Sequence, residues 1–507
     1  MTAYTCVDLF CGCGGLSLGL RSAGYDVKLS VEKSDMAAET YFHNFIEACP
    51  ADSAAAAAWQ ERYASFTKSD LSLQVRSGLV VNELGKLIAR KELIAPLCGE
   101  QGIDLVAGGP PCQGFSMAGR RNPNDERNKL PNQFLEFVEI TRPKAVIIEN
   151  VSGMRSHFNK HNVASPFEEL CKALAKTGPG YAVQPLLLNA RHFGVPQNRP
   201  RLFVVGVQEE IARSLGIHTE EFWNSASDGF PSTHRPALAP RRTHFPAGSE
   251  GLNAGGQAER VVGDALAEHR GDDQPYAANA EYAAALQELA QWTKSQNLDP
   301  SANHKFRKHS KLVQRRFAFY QVASRLGIDK HVLAVPTRED LTEVQKREVI
   351  ASAFKGLNAN GNLVAEHPAL ESLEIFIDFV RGHKTKKHSQ RALKLDNPAP
   401  TVVSLPDDFI HPREHRVPTV RELARFQSFP DNFQFRSKET TGAHRRKVEV
   451  PQYTQVGNAV PPLLAKALGD HLKGILDAYA EQKREQLPRG NAPRATKKAA
   501  KGAVAAE

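Results

Sequence analysis

At 507 residues, with 41% hydrophobic and 24% charged content, the chain exceeds one ordinary core and has the balance of a globular protein. No uncharged apolar run reaches the ~18 residues a membrane helix needs, and Asp8 with no basic leader before it argues against a signal peptide. Seven cysteines without a CxxC pair speak against a disulfide framework or a zinc site and for a reducing cytoplasm, and of the net charge of +9, residues 482–507 supply five through seven Lys/Arg and two Glu.

In chain order, short β-rich runs alternate with helical patterns as far as about residue 209, which predicts a mostly parallel α/β sheet. The predicted strands are YTCVDLF, YDVKLSVE, ASFTKSD, GIDLVAGG, KAVIIENV and the pair YAVQPLLLN and RLFVVGV. GLSLGLRSAG and NQFLEFVEITR read as helices, and Ala54 to Ala58 as a helical insertion without a site. From Gln208 to Val417 the periodicity weakens and basic residues, Gly, Pro and His increase, as in a second, smaller and irregular domain. TVRELARFQSF is helical in pattern, PPLLAKALGDHLKGILDAY is an amphipathic helix begun by prolines, and a Lys/Ala/Pro/Gly-rich disordered tail closes the chain.

The first chemical signal is Asp8-Leu9-Phe10-Cys11-Gly12-Cys13-Gly14-Gly15, between an apolar strand and a helix. Glycines there permit a tight turn and close approach to a ligand. Glu32 ends the second strand, 20 residues beyond Gly12, where a carboxylate can hold ribose hydroxyls. The dinucleotide pattern GxGxxG fails because Ser17 stands at its third glycine. An acid inside the strand, Asp8, suits a cationic sulfonium better than a pyrophosphate, which favours S-adenosylmethionine. Asp70 is a candidate acceptor for an adenine amino group, although a lone loop Asp is more commonly a cap or turn residue.

The second signal is Gly108-Gly109-Pro110-Pro111-Cys112-Gln113-Gly114-Phe115-Ser116, just past the strand GIDLVA. Open α/β sheets bind ligands at that end, and two prolines would position the sulfur of Cys112 as a thiolate nucleophile. Glu149 ends a buried strand, where a carboxyl is costly unless paired or protonated, so it is a candidate acid with a raised pKa. Arg199 and Arg201 flank Pro200 at a strand entrance, suited to a phosphate or to orienting that carboxylate.

These motifs resemble, in order, those of the bacterial DNA (cytosine-5)-methyltransferases. DLFCGCGGLSLG is similar to the family's cofactor loop, GGPPCQGFS to its nucleophile loop and ENV to its acidic segment. QNRPR, RELARFQSFPDNF and QVGNAVPPLLAKALG are similar to its later motifs. The resemblance implies a Rossmann-like S-adenosylmethionine-dependent methyltransferase fold with a target-recognition domain. It makes Cys112 the nucleophile, Glu149 the contact to cytosine N3, and Arg199 and Arg201 supporting active-site residues. It makes Phe10, Gly12, Gly14, Gly15, Glu32, Asp70, Leu71, Pro111, Asn458 and Val460 the cofactor pocket, and packs the final helix on the first. Lys33 and Gln133 depart from the family pattern, which carries an aromatic and a leucine there in some relatives.

On this reading residues 1–209, completed by 450–481, form the catalytic and cofactor-binding domain. Residues 210–449 form the target-recognition domain and hinge, and residues 482–507 the basic tail. The runs His304–Phe317 and Arg381–Lys394 each hold six Lys/Arg and no acid, suited to DNA phosphates. The expected partners are double-stranded DNA, from which the target cytosine is flipped, and a separately acting restriction endonuclease. A monomer in the bacterial cytoplasm, acting on the nucleoid without a metal, is expected. tRNA cytosine methylation and a non-catalytic DNA-binding regulator are the competing readings.

Overall fold

The computed structural model describes residues 3–99, 102–111, 129–151, 166–227, 235–249, 255–266, 279–295, 299, 301–327, 330–358, 367–387, 389–442, 444–445 and 448–486. Cys112, the residue predicted to be the nucleophile, lies outside the described residues, as does the tail from 487 onward.

Eight strands form one sheet: β1 Tyr4–Leu9, β2 Tyr25–Glu32, β3 Leu79–Val81, β4 Leu105–Gly108, β5 Ala145–Val151, β6 Tyr181–Asn189, β8 Pro200–Gln208 and β9 Trp223–Asn224. The two-residue strand β7, Gln197–Asn198, lies outside it. The order is β3-β2-β1-β4-β5-β8-β6-β9, and β8 alone runs antiparallel to its neighbours. The connection from β6 to β8 is too short for a crossover, so β8 must reverse direction. Its first residues therefore lie at the same edge as the carboxyl ends of β1, β2, β4 and β5. The strand order turns back between β1 and β4, so a ligand crevice opens there.

ASFTKSD is not a strand. Its residues through Thr67 belong to helix α3, Ser53–Thr67, which follows α1 Gly15–Ser22 and α2 Asp35–Tyr41. Asp52 caps α3 by accepting Ala55 N–H at 2.9 Å, and the alanine run propagates it. Trp59, Tyr63 and Phe66 then share the face that packs on Phe42. The strand on that side of the sheet is instead the short β3. α4 Leu71–Arg76 precedes it, and α5 Leu84–Ile88, α6 Lys91–Cys98, α7 Leu130–Thr141, α8 Pro166–Lys176 and α9 Glu209–Leu215 follow in the α/β part.

Strand alternation sorts the core onto two faces. Cys6, Leu105, Ala107, Ile147, Phe203 and Val205 pack towards Leu16 and Leu20 of α1. Val7, Leu9, Val106, Ile148 and Val204 pack towards Leu84, Phe134, Phe137 and Leu170. The segment from 209 to 417 lacks a strand–helix rhythm yet carries α10 Val262–Ala265, α11 Ala280–Ala290, α12 Lys311–Leu326, α13 Glu343–Asn358 and α14 Leu373–Gly382. α12, α13 and α14 enclose a core of their own around Phe317, Phe319, Phe354, Phe376 and Val380. α11 joins a different one, where Tyr282, Leu286 and Leu289 meet Leu18, Tyr41 and Phe45 as well as Phe426, Phe429 and Phe433.

The chain returns through α15 Val420–Phe426, α16 Gln452–Asn458 and α17 Pro462–Gln486. Thr419 and Glu422 form a capping box that starts α15. α17 packs on α1, as the resemblance implies. Any β-carbon at Gly19 would sit 2.3 Å from Pro462 O, so glycine allows the two backbones to touch. α17 continues to Gln486, and Lys483 in its last turn pairs with Glu210 at 2.7 Å.

Candidate active site

The loop after β1 turns through positive φ at Phe10 (59°), Gly12 (56°) and Gly14 (98°). A side chain at Gly14 would strike Phe45 and one at Gly15 would strike Val460 O, whereas nothing lies within 4 Å of the β-carbon position of Gly12. Gly12 thus faces open space at the crevice. Its N–H donates to Glu32 Oε2 at 2.9 Å, and Ser34 N–H donates to Oε1 at 2.7 Å. Burial pushes the Glu32 carboxyl up, against these backbone donors. Each oxygen accepts one backbone bond, so lone pairs remain for hydroxyl donors.

Phe10 and Leu71 are half-buried against the same core. Asp70 is exposed and caps α4, accepting Ser72 N–H at 2.7 Å. Val460 is half-buried over Gly15, Asn458 is exposed at the end of α16, and Pro111 is exposed at the last described position before Cys112. These residues fit S-adenosylmethionine: glycine backbone open to the crevice, a fixed, half-buried carboxylate for the ribose, and apolar Phe10 and Leu71 for the adenine.

Below the loop, Ser17 Oγ donates to Asp8 Oδ2 at 2.6 Å, and Ser30, Tyr41 and Ser17 continue the chain of hydroxyls. Burial raises the Asp8 carboxyl to about 7 although Ser17 bonds it. Asp8 faces α1 beneath the loop, so it supports the turn from below.

On the catalytic side, Glu149 continues the face of Ala145 and Ile147, and Arg201 that of Phe203 and Val205. Glu149 pairs in register with Phe203 and Val151 with Arg201, so Glu149 and Arg201 are diagonal neighbours. Arg201 Nε lies 3.2 Å from Glu149 Oε1, both side chains being 13% exposed. Burial pushes the Glu149 carboxyl up, opposed by Arg201 and then Arg199. Gly109 adjoins it: a β-carbon there would be 3.0 Å from Glu149 Oε2. Asn150 Nδ2 donates to Pro110 O at 3.4 Å, tying the end of β5 to the diproline before Cys112. A carboxyl of raised proton affinity is thereby held beside a cation at the root of the segment leading to Cys112.

Arg199 stands elsewhere. It is 1% exposed, and its guanidinium donates to the carbonyls of Val402, Gly457 and Ala459 at 3.2, 2.8 and 3.0 Å. Two glutamines that the sequence reading left without a role, Gln197 and Gln427, join it in the same buried seam. The available signal was their place as uncharged amides within QNRPR and the helical RELARFQSF.

The two basic runs meet: Arg316 donates to the carbonyls of His383 and Lys384, each at 2.9 Å. They are not free of acids in space, since Arg307 pairs with Glu439, Arg381 with Glu343 and Lys387 with Asp407. Phe306, 48% exposed, lies against the Arg416 guanidinium at 4.4 Å.

A model of the C-5 cytosine-specific DNA methylase family matches residues 4–57 and 90–474. Asp70 and Leu71 fall between the matched segments. The chain is 28% identical over 473 residues to the type II methyltransferase M.DdeI of Desulfomicrobium norvegicum, covering 92% of this chain and 88% of that one. It is 29% identical over 496 residues to the type II methyltransferase M.AgeI of Thalassovita gelatinovora, covering 92% and 98%. Among solved structures, the S. pombe Dnmt2 methyltransferase aligns with a TM-score of 0.44 at 13% identity, covering 94% of this chain and 99% of that one. With the family model spanning most of its length, the chain belongs to the C-5 cytosine-specific DNA methylases and is a DNA (cytosine-5)-methyltransferase.

Proposed function

We propose that the protein methylates C5 of one cytosine within a specific double-stranded DNA sequence, as the modification partner of a restriction endonuclease acting separately. The observation that carries the chemistry is the pairing of Glu149 with Arg201 beside Gly109, at the root of the segment leading to Cys112. S-adenosylmethionine, when bound, supplies an electrophilic methyl group.

Cytosine C5 is too weak a nucleophile to take a methyl group unaided. The Cys112 thiolate adds to C6 of the flipped base, breaking the C5–C6 double bond and placing electron density on C5 and the N3 side of the ring. Glu149, its proton affinity raised by burial, presents a proton at N3 and stabilises that density. Arg201 holds the carboxyl in place. After C5 has been methylated, its proton passes to water, the released electron pair re-forms the C5–C6 double bond, and the C6–S bond breaks to return the Cys112 thiolate. Gly12, Gly14, Gly15 and Glu32, with Phe10, Asp70, Leu71, Pro111, Asn458 and Val460 around them, hold the cofactor. No metal takes part in this scheme.

The DNA-facing unit we propose is built on the core of α12, α13 and α14, with the joined basic runs meeting phosphates. The packing of Phe426, Phe429 and Phe433 with Leu18, Tyr41 and Phe45 supports assigning 420–435 to the catalytic unit, with 1–209 and 450–481. The basic segment 482–507 adds non-specific affinity for DNA. The protein acts as a cytoplasmic monomer on nucleoid DNA.

The test is sequencing with 5-methylcytosine detection on DNA from a methylation-free host expressing the chain or its Cys112→Ser variant. Methylation of one short motif, absent with the variant, is expected. Label found in tRNA and never in DNA would overturn the substrate assignment, and methylation retained by Cys112→Ser would overturn the covalent route.

A further inference from the structure

The buried seam around Arg199 joins three parts of the chain that are remote in sequence. Gln197 of β7 donates to Phe426 O at 3.0 Å and to Gln427 Oε1 at 2.8 Å, and accepts Val402 N–H at 2.8 Å. Gln427 donates onward to Val456 O at 2.6 Å. β7 pairs with Ala399–Pro400, and Thr401 Oγ1 donates to Asn198 O at 2.9 Å. Residues 399–404, where the chain returns from the helical unit, are therefore strapped to the entrance of β8.

The strap presses on the end of α16. A β-carbon at Gly457 would be 2.6 Å from Val403 C and 2.8 Å from Ser404 N. The last carbonyls of a helix have no partner within it, and a cation is favoured there. Arg199 fills both needs, taking Gly457 O and Ala459 O with one nitrogen and Val402 O with the other. One residue beyond Ala459, Val460 O lies against Gly15 of the cofactor loop. The planar fork of an arginine reaches three carbonyls on two segments, which one ammonium cannot do with the same geometry. Burying this charge is costly and the neighbouring Arg201 cation adds to the cost, with Glu149 a smaller opposing influence, so the three carbonyls are what satisfy the guanidinium.

We infer that Arg199 is a positioning residue, which fixes segment 457–460 over the cofactor loop by holding its carbonyls together with the strap 399–404. The cover of the cofactor pocket and the return from the DNA-facing unit then form one rigid piece. Any displacement of the strap would therefore be passed to the cofactor pocket through Arg199. This rests on the reading that S-adenosylmethionine occupies the pocket beside Gly12 and Glu32.

The experiment compares the full-length chain with Arg199→Lys and Gly457→Ala. S-adenosylhomocysteine affinity is measured with and without unmethylated plasmid DNA, single-turnover methylation of that plasmid at saturating S-adenosylmethionine is timed, and thermal melts report folding. Both variants are expected to weaken S-adenosylhomocysteine binding tenfold or more and to reduce any tightening that DNA produces. Their single-turnover rate at saturating cofactor should fall less than threefold. Loss of that rate, with or without a change in affinity, would mean that Arg199 acts at the reacting base and would overturn the inference. So would unchanged affinity. Should Arg199→Lys fail to fold, Gly457→Ala, which alters no charge, decides by the same two readouts. A parent chain that binds no S-adenosylhomocysteine sinks the functional reading itself, and this inference with it.

Discussion

Arg201 and Glu149 stand diagonally across the β5–β8 ladder, 3.2 Å apart, and the antiparallel direction of β8 makes this possible. A parallel strand in that place would deliver its first residues to the opposite edge of the sheet. Glu149→Gln keeps the size and the polar contact with Arg201 but cannot serve as an acid. We expect kcat to fall by about 10²–10⁴-fold, with cofactor affinity near that of the parent. A rate within threefold of the parent would remove Glu149 from the chemistry.

Cys112→Ser should abolish turnover while cofactor binding survives. The parent chain should also form a denaturation-stable adduct with DNA carrying 5-fluorocytosine at the target, because fluorine at C5 cannot leave as a proton does. A gel showing no adduct would count decisively against a thiolate nucleophile.

Gly109, by lacking a side chain, leaves room for the Glu149 carboxyl. Its φ is not positive, so Gly109→Ala is acceptable to the backbone, but the new methyl group would lie 3.0 Å from Glu149 Oε2. Displacing the carboxyl should lower kcat by up to about 10²-fold, with little change in melting temperature. A fully active, equally stable variant would show that the carboxyl has room to shift.

Asp8 links pH to stability. Burial raises its carboxyl from 3.8 to about 7, so the folded state binds the proton more tightly than the unfolded chain. The resulting contribution is complete below about pH 4 and is lost as pH rises through about 7, a few kcal/mol at most. Asp8→Asn should therefore flatten the decline in stability between pH 5 and 8, read by urea unfolding of both proteins. Identical slopes would contradict it.

The Arg416–Glu422 pair has the opposite sign. Burial pushes the Glu422 carboxyl up, but two bonds from Arg416, each 2.7 Å, outweigh it and hold the carboxyl at about 2. Its contribution is present above about pH 4.5 and fades as pH falls towards 2. Glu422→Gln removes one of the two carboxylates on Arg416, Glu414 still pairing with it at 2.9 Å, and should cost about 1.5–3 kcal/mol at pH 7, measured by denaturant unfolding.

The sequence by itself determined the mostly parallel sheet, the glycine turn after β1 and the acids at the ends of β2 and β5. β1, β4, β5, β6 and β8 were legible because doubly buried strands read as near-continuous apolar runs, and β2 because YDVKLSVE alternates apolar with polar residues. The places of Gly12, Glu32 and Glu149 were legible because each stands at or just past a strand end, where position follows directly from the apolar run before it. ASFTKSD misled because a helix rich in aromatic and polar residues has no strong local preference, and Asp52 with the alanine run decided it from outside that window. Only the tertiary structure separated Arg199 from Arg201. Two residues apart in QNRPR, they diverge at the first residues of β8: Arg201 projects to Glu149, whereas Arg199 turns to carbonyls more than two hundred residues away in sequence. Main-chain carbonyls carry no residue identity, so a contact made to them leaves no trace in the partner's sequence.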